Sequence, residues 1–181
     1  DYHQRHRIIE RGVWIDWDRY RFDVKTGPPE DSKEICNEHI NVLPGRGTLI
    51  PLEVFQKIGN YNKQRFPHYI ADYDFTVRAY NAGIKLILSY KSKIYTRTDL
   101  TGCSITDRSL TMTEACRNYF SIKSDTNIID HIRFIRSHAP RKYRYKHIAL
   151  FLLRALFNLH VVRLIAGPPK AMIRRLRNHI G

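Results

Sequence analysis

Apolar and polar positions along the chain change rhythm near residue 110. Before it, apolar residues come in short alternating or continuous runs broken by glycine and proline, the pattern of strands and brief helices. Residues 8–17 predict a strand, and residues 19–24 a partner for it. Residues 25–33, with Gly27-Pro28-Pro29, read as a loop. Residues 39–43 are apolar and β-prone and stop at Pro44-Gly45, and residues 48–50 resume an extended path. Pro51 stands where proline suits the first turn of a helix. That helix covers residues 52–58, and Gly59 closes it. A second helix is predicted over residues 70–82, closed by Gly83. Asp72, Phe75, Thr76 and Ala79 share one of its faces by their spacing. Residues 86–90 and 93–96 read as two short strands.

Beyond residue 110 the apolar spacing becomes helical, over residues 113–123, 127–137 and 143–165, with a shorter basic helix after Pro168-Pro169. The fold class is therefore α/β, with a mixed part at residues 1–110 and a helical extension at residues 111–181. At 181 residues the chain is long enough for one domain with a real core. A hydrophobic share of 43% excludes a disordered chain.

Charge adds what hydropathy does not show. The net charge is +14, yet residues 1–130 carry only +2 of it. Residues 131–181 hold twelve Lys or Arg and no Asp or Glu. A nearly neutral body with a basic tail predicts a tail that meets an anionic surface. Cys36, Cys103 and Cys116 are widely spaced and form no C-x-x-C, so the reading is reduced thiols in a cytoplasmic protein. Asp1-Tyr2-His3-Gln4 carries no apolar run of the kind a secretory signal needs, and the missing initiator Met predicts a chain that begins inside a longer product.

Three groups of residues can carry chemistry. Gly45-Arg46-Gly47, between a strand and a helix, can let backbone N–H groups approach an anion while the guanidinium holds it. It is also compatible with an ordinary tight turn. Asp72, at the start of a helix, is either a partner for the helix dipole or a general base held at the edge of a cleft. Asp74 and Arg78 stand four residues apart, the spacing of a helix-surface ion pair, although Arg78 can alternatively turn to a phosphate. Asp16-Trp17-Asp18 reads as polar alternation on a strand rather than as a metal-binding pair.

The order of these motifs is more specific than its parts. Leu43-Pro44-Gly45-Arg46-Gly47-Thr48-Leu49-Ile50-Pro51 comes first, followed by Val54-Phe55-Gln56-Lys57-Ile58-Gly59 and Arg65-Phe66-Pro67-His68-Tyr69. Ala71-Asp72-Tyr73-Asp74-Phe75, with Arg78 and Ala82-Gly83, completes the series. Over about residues 8–140 this resembles family 2 glycosyltransferases, inverting enzymes of the GT-A fold that use nucleotide-activated sugars. Arg117-Asn118-Tyr119-Phe120-Ser121-Ile122 and Arg133-Phe134 are similar to the helical extension of the bacterial cell-surface polysaccharide branch. The resemblance implies the C-terminal half of a GT-A type mixed-sheet domain, lacking the nucleotide-binding half, followed by a helical basic tail. It implies Asp72 as the base that activates the acceptor hydroxyl. Gly45, Arg46 and Gly47 would border the donor and acceptor pocket, with Asp74 and Arg78 on the substrate side. It further implies Mg²⁺ or Mn²⁺, although the D-x-D that holds such a metal in the family belongs to the half that is lacking. The family often has Glu where this chain has Ala71, and a metal-binding His where it reads Ile94-Tyr95-Thr96. Its partners would be a nucleotide sugar and a glycan or lipid-linked acceptor.

Residues 143–165 are long enough to cross a bilayer, but Arg154 would then lie near the middle of the hydrocarbon. An interfacial helix at the inner face of the plasma membrane is the preferred reading, with packing on the body or on a partner as the next. Two non-enzymatic functions compete: a docking remnant without catalysis, and a basic nucleic-acid binder. The latter is disfavoured because basic and aromatic residues are not interleaved along the tail.

Overall fold

The computed structural model describes residues 8–24, 35–97 and 111–166. Within them the protein is mixed α/β, with four short strands and five α-helices. Strands β1 (Trp14–Asp16) and β2 (Arg21–Asp23) form an antiparallel ribbon in the register Ile15↔Phe22. A second ribbon joins β3 (Cys36–Asn37) to β4 (Leu88–Ser89), also antiparallel. Helices α1 (Leu52–Ile58) and α2 (Ala71–Asn81) lie between β3 and β4 in the chain. Helices α3 (Met112–Asn118), α4 (Ile128–His138) and α5 (Arg144–Ala166) follow, with a 3₁₀ turn at Arg141–Tyr143 before the last.

The expected strands are shorter than their hydropathy suggests, and in two of them a side chain supplies a local cause. Residues 39–43 join β1 only through a bridge between Val13 and Val42. Asn41 takes the place of a ladder partner there. Its side-chain oxygen accepts the Ile15 N–H at 2.7 Å, and its amide donates to the Ile15 carbonyl at 3.0 Å. The run 86–90 keeps only β4, because the Ser89 hydroxyl accepts the Lys91 N–H and turns the chain. Residues 93–96 form no strand. The two residues of β3 were not anticipated.

The helices follow the sequence reading more closely. Helix α1 ends at Gly59, whose φ of +76° is the left-handed conformation that glycine tolerates. Helix α2 begins after Ile70, a β-branched residue held at φ +66°. Such a backbone costs on the order of 1–3 kcal/mol and persists only when its surroundings hold it. A capping box between Thr111 and Glu114 starts α3. That helix stops at Asn118 rather than near residue 123, because the Ser121 and Ser124 hydroxyls accept the backbone N–H groups of Lys123 and Thr126. Asn127 caps α4 by accepting the Asp130 N–H.

The helical part shares its core with the α/β part. Phe134 of α4 is fully buried in one cluster with Val13, Ile15, Val42, Phe66 and Val77. Ile135 and Ala139 pack on Tyr20 with Ile148 and Phe151 of α5. Helix α5 is then fastened by polar contacts. His147 bonds the Trp17 carbonyl, Arg154 donates to the Tyr20 carbonyl at 3.3 Å, and the Tyr119 hydroxyl donates to the Ala155 carbonyl at 3.0 Å. Arg154 therefore has a carbonyl of the body as its partner, and one side of α5 lies against the globular part. Among the described residues no helix is long and apolar enough to cross a membrane. The basic helix expected after Pro168-Pro169 lies outside the described residues.

Candidate functional site

Asp72 occupies the first turn of α2 and is half-buried. Its Oδ2 accepts the Gly45 N–H at 2.7 Å, and its Oδ1 accepts the Tyr73 N–H at 2.9 Å. A carboxylate has about four acceptor positions, so two amides leave lone pairs for a further donor. The loop and the base candidate proposed from sequence are thus in direct contact. A Cβ added at Gly45 would sit 3.4 Å from the Asp72 Cβ, an ordinary contact, so the approach does not itself demand glycine. Gly47, at φ +71°, turns the chain where an added Cβ would run into Ile94.

Arg46 extends from the same loop and is 48% exposed. Its guanidinium lies 3.8 Å from Oε2 of Glu10, a carboxyl only 15% exposed. Glu10 went unnoticed in the sequence reading. Burial, reinforced by the Asp72 charge and partly offset by Arg46, raises its pKa from 4.5 to about 7. Among the described residues its second oxygen, Oε1, is buried without a hydrogen-bond partner. Two tyrosines complete the surroundings. Burial pushes the Tyr73 hydroxyl far up, with the Glu10 and Asp72 charges adding to it. Tyr61 is raised by burial and then by Asp72. A neutral Glu10 leaves the Arg46 charge free to attract an anion, whereas an ionised Glu10 cancels it. The one available signal for Glu10 was a lone carboxylate between Ile8-Ile9 and Val13-Trp14.

Asp74 and Arg78 are placed differently. Residues two apart on a helix point about 200° away from each other, so Asp74 faces away from the Asp72 pocket. The expected surface ion pair is buried instead, with Asp74 only 4% exposed. Its Oδ2 accepts from Arg78 at 3.0 Å, and its Oδ1 is 2.8 Å from Nε2 of His138 at the end of α4. Burial alone would raise the Asp74 carboxyl, but the hydrogen bonds from His138 and Arg78 outweigh it and hold the pKa below 3.8. Arg78 also donates to the Ile58 and Asn60 carbonyls at 2.7 and 2.9 Å. These contacts use Arg78 to fix the loop after α1, which explains why it does not reach toward Gly45. His138 was missed because its partner lies sixty-four residues away in sequence.

Two cavities flank α2. One of about 510 Å³ is lined by Asn62, Arg65, Asp74, Arg78 and His138. Another of about 310 Å³ lies among Trp14, Trp17, Asn41 and Tyr80. Asp72 lines neither; it is half-buried beside the Gly45 loop, within electrostatic reach of Glu10 and Tyr73.

Asp16 is committed to a turn, its Oδ1 accepting the N–H groups of Asp18 and Arg19. Asp16 closes β1 and Trp17-Asp18 belong to the turn after it, so these residues do not alternate along a strand as expected. Among the described residues no three His, Cys, Asp or Glu side chains are grouped to hold a metal ion. Cys36 and Cys116 are free thiols.

No protein-family model, no curated protein and no solved structure matches this chain.

Proposed function

We propose that this chain is the acceptor-side part of an inverting, nucleotide-sugar-dependent glycosyltransferase of the GT-A type, with Asp72 as its general base. The observation that carries the reading is the 2.7 Å bond from the Gly45 N–H to Asp72, which brings the base and the arginine loop to one place. In the reaction an acceptor hydroxyl gives its proton to the Asp72 carboxylate. The resulting oxygen attacks the anomeric carbon, the bond to the diphosphate breaks, and the nucleoside diphosphate leaves from the opposite face. Arg46 offers a cation to the negative charge that develops on the leaving group. No step is routed through a metal. On this reading the acceptor is a polysaccharide or lipid-linked glycan, and the protein works in the cytoplasm at the inner face of the plasma membrane.

The test is turnover of a panel of nucleotide sugars by the whole product of the gene and by its Asp72→Asn variant. The variant should lose on the order of 10²-fold or more in turnover, the range typical of a lost general base. Unchanged turnover in Asp72→Asn removes the base from the mechanism, and no transfer from any donor removes the enzyme reading.

A further inference from the structure

Over its described side chains, residues 144–159, helix α5 is apolar on two sides, and only one of them is covered among the described residues. Inward, His147 and Ala155 are buried, and the polar contacts to Trp17, Tyr20 and Tyr119 fix the helix on the body. Outward, Tyr145 is 88%, Leu153 61%, Leu156 63% and Phe157 67% exposed. With Ala149 these positions fall at i, i+4, i+8, i+11 and i+12, within an arc of about 120°. Lys146 lies on the same arc at its N-terminal end, Lys142 stands in the 3₁₀ turn just before the helix, and both are exposed. Isolated exposed apolar side chains are ordinary, but a continuous stripe of them marks an interaction surface.

We infer that the outward face of α5 is a docking surface for an anionic lipid bilayer, on which the helix lies in the plane of the headgroups. Charge selects this occupant. From residue 131 onward the chain has twelve basic residues and no acidic one. A second copy would bring an equally basic face with no carboxylate from this segment to pair with it. A leaflet of anionic phospholipid supplies both the counter-charge for Lys142 and Lys146 and an apolar layer for Leu153, Leu156 and Phe157. Depth is limited by the body itself, since the buried side of α5 and the Arg154 contact keep the helix on the protein surface. No residue of the Asp72 pocket takes part, so this inference stands apart from the sugar-transfer reading.

The test is flotation of the full chain with vesicles of phosphatidylcholine alone and of phosphatidylcholine mixed with phosphatidylglycerol, without any sugar substrate. Mixed vesicles should bind at least roughly tenfold more tightly, and added salt should weaken the binding, as expected for a few lysines near a charged surface. The double variant Leu153→Ser, Phe157→Ser should bind mixed vesicles at least about tenfold more weakly, from the apolar area it withdraws. The double variant Lys142→Glu, Lys146→Glu should lose the preference for phosphatidylglycerol. Both sets of side chains are exposed, so both variants should melt where the unaltered chain melts. The inference is overturned if the chain stays unbound with mixed vesicles, or if the Leu153→Ser, Phe157→Ser protein binds as before. A dimer in solution that these serines dissociate would assign the face to a second copy and overturn it as well.

Discussion

Asp72 and Asp74 stand two residues apart on one helix, yet their surroundings differ in nearly every respect. Asp74 is buried and has two cationic or hydrogen-bonding partners, His138 and Arg78, at 2.8 and 3.0 Å. Asp72 is half-buried and, among the described residues, its carboxylate is held by two backbone amides. Its charged neighbours are a half-exposed arginine and a buried carboxyl that titrates near neutrality. The first carboxylate is buried between charged side chains and joins α2 to α4 directly and, through Arg78, to the loop after α1. The second is half-buried and retains acceptor capacity beside the Gly45 loop. A helix reversing its face every two residues thus separates a structural carboxylate from one left available for chemistry.

The largest expected effect falls on the structural side. Asp74→Ala strands His138 and the Arg78 guanidinium in a buried place and should cost about 3–5 kcal/mol, read from urea denaturation. A loss below about 1 kcal/mol would mean the network is as dispensable as a surface pair. Its pH dependence has a definite sign. Because the folded pKa of Asp74 is lowered, its contribution is complete above 3.8 and disappears as the pH falls through the folded value. Asp74→Asn should flatten that part of the acid-unfolding profile.

Glu10 carries the opposite sign. Its folded pKa is raised from 4.5 to about 7, so the folded state binds the proton more tightly and stability declines as the pH rises through that interval. Glu10→Gln should therefore stabilise the protein by about 1–3 kcal/mol at pH well above 7. Near pH 4.5 it should change little. A pH-independent difference between the two proteins would show that Glu10 is not the buried acid described. Arg46→Ala is expected to have the smallest effect on stability, under about 1 kcal/mol, since the side chain is half-exposed and the pair is long. It should also move the Glu10 transition further upward, as the removed charge had opposed burial. A downward movement would contradict the assigned neighbours.

Much of this arrangement was legible in the chain, and the illegible parts share a cause. Proline, glycine and polar caps are local signals, so α1, the end of α2 and the start of α4 could be read from Pro51, Gly59, Gly83 and Asn127. The contact between Asp72 and the Gly45 loop was anticipated only through the order of motifs. Strand lengths were not legible, because Asn41 and Ser89 satisfy backbone groups with side chains, a choice that hydropathy does not encode. The roles of Glu10 and His138 depend on partners thirty-six and sixty-four residues away. Their spacing says nothing until the chain is folded. Arg154 looked like an obstacle to a membrane span, and its bond to the Tyr20 carbonyl gives it a different use on the body's surface.

On the proposed function Asp72 does chemistry and Asp74 does not. Asp72→Asn and Asp74→Asn should be compared side by side in the whole gene product, for sugar-transfer turnover and for unfolding free energy. Asp72→Asn is predicted to lose on the order of 10²-fold or more in turnover while keeping its stability within about 1 kcal/mol. Asp74→Asn should lose stability and keep its turnover per folded molecule. Full turnover in Asp72→Asn, or a loss per folded molecule in Asp74→Asn as large as that expected for Asp72→Asn, would contradict the account.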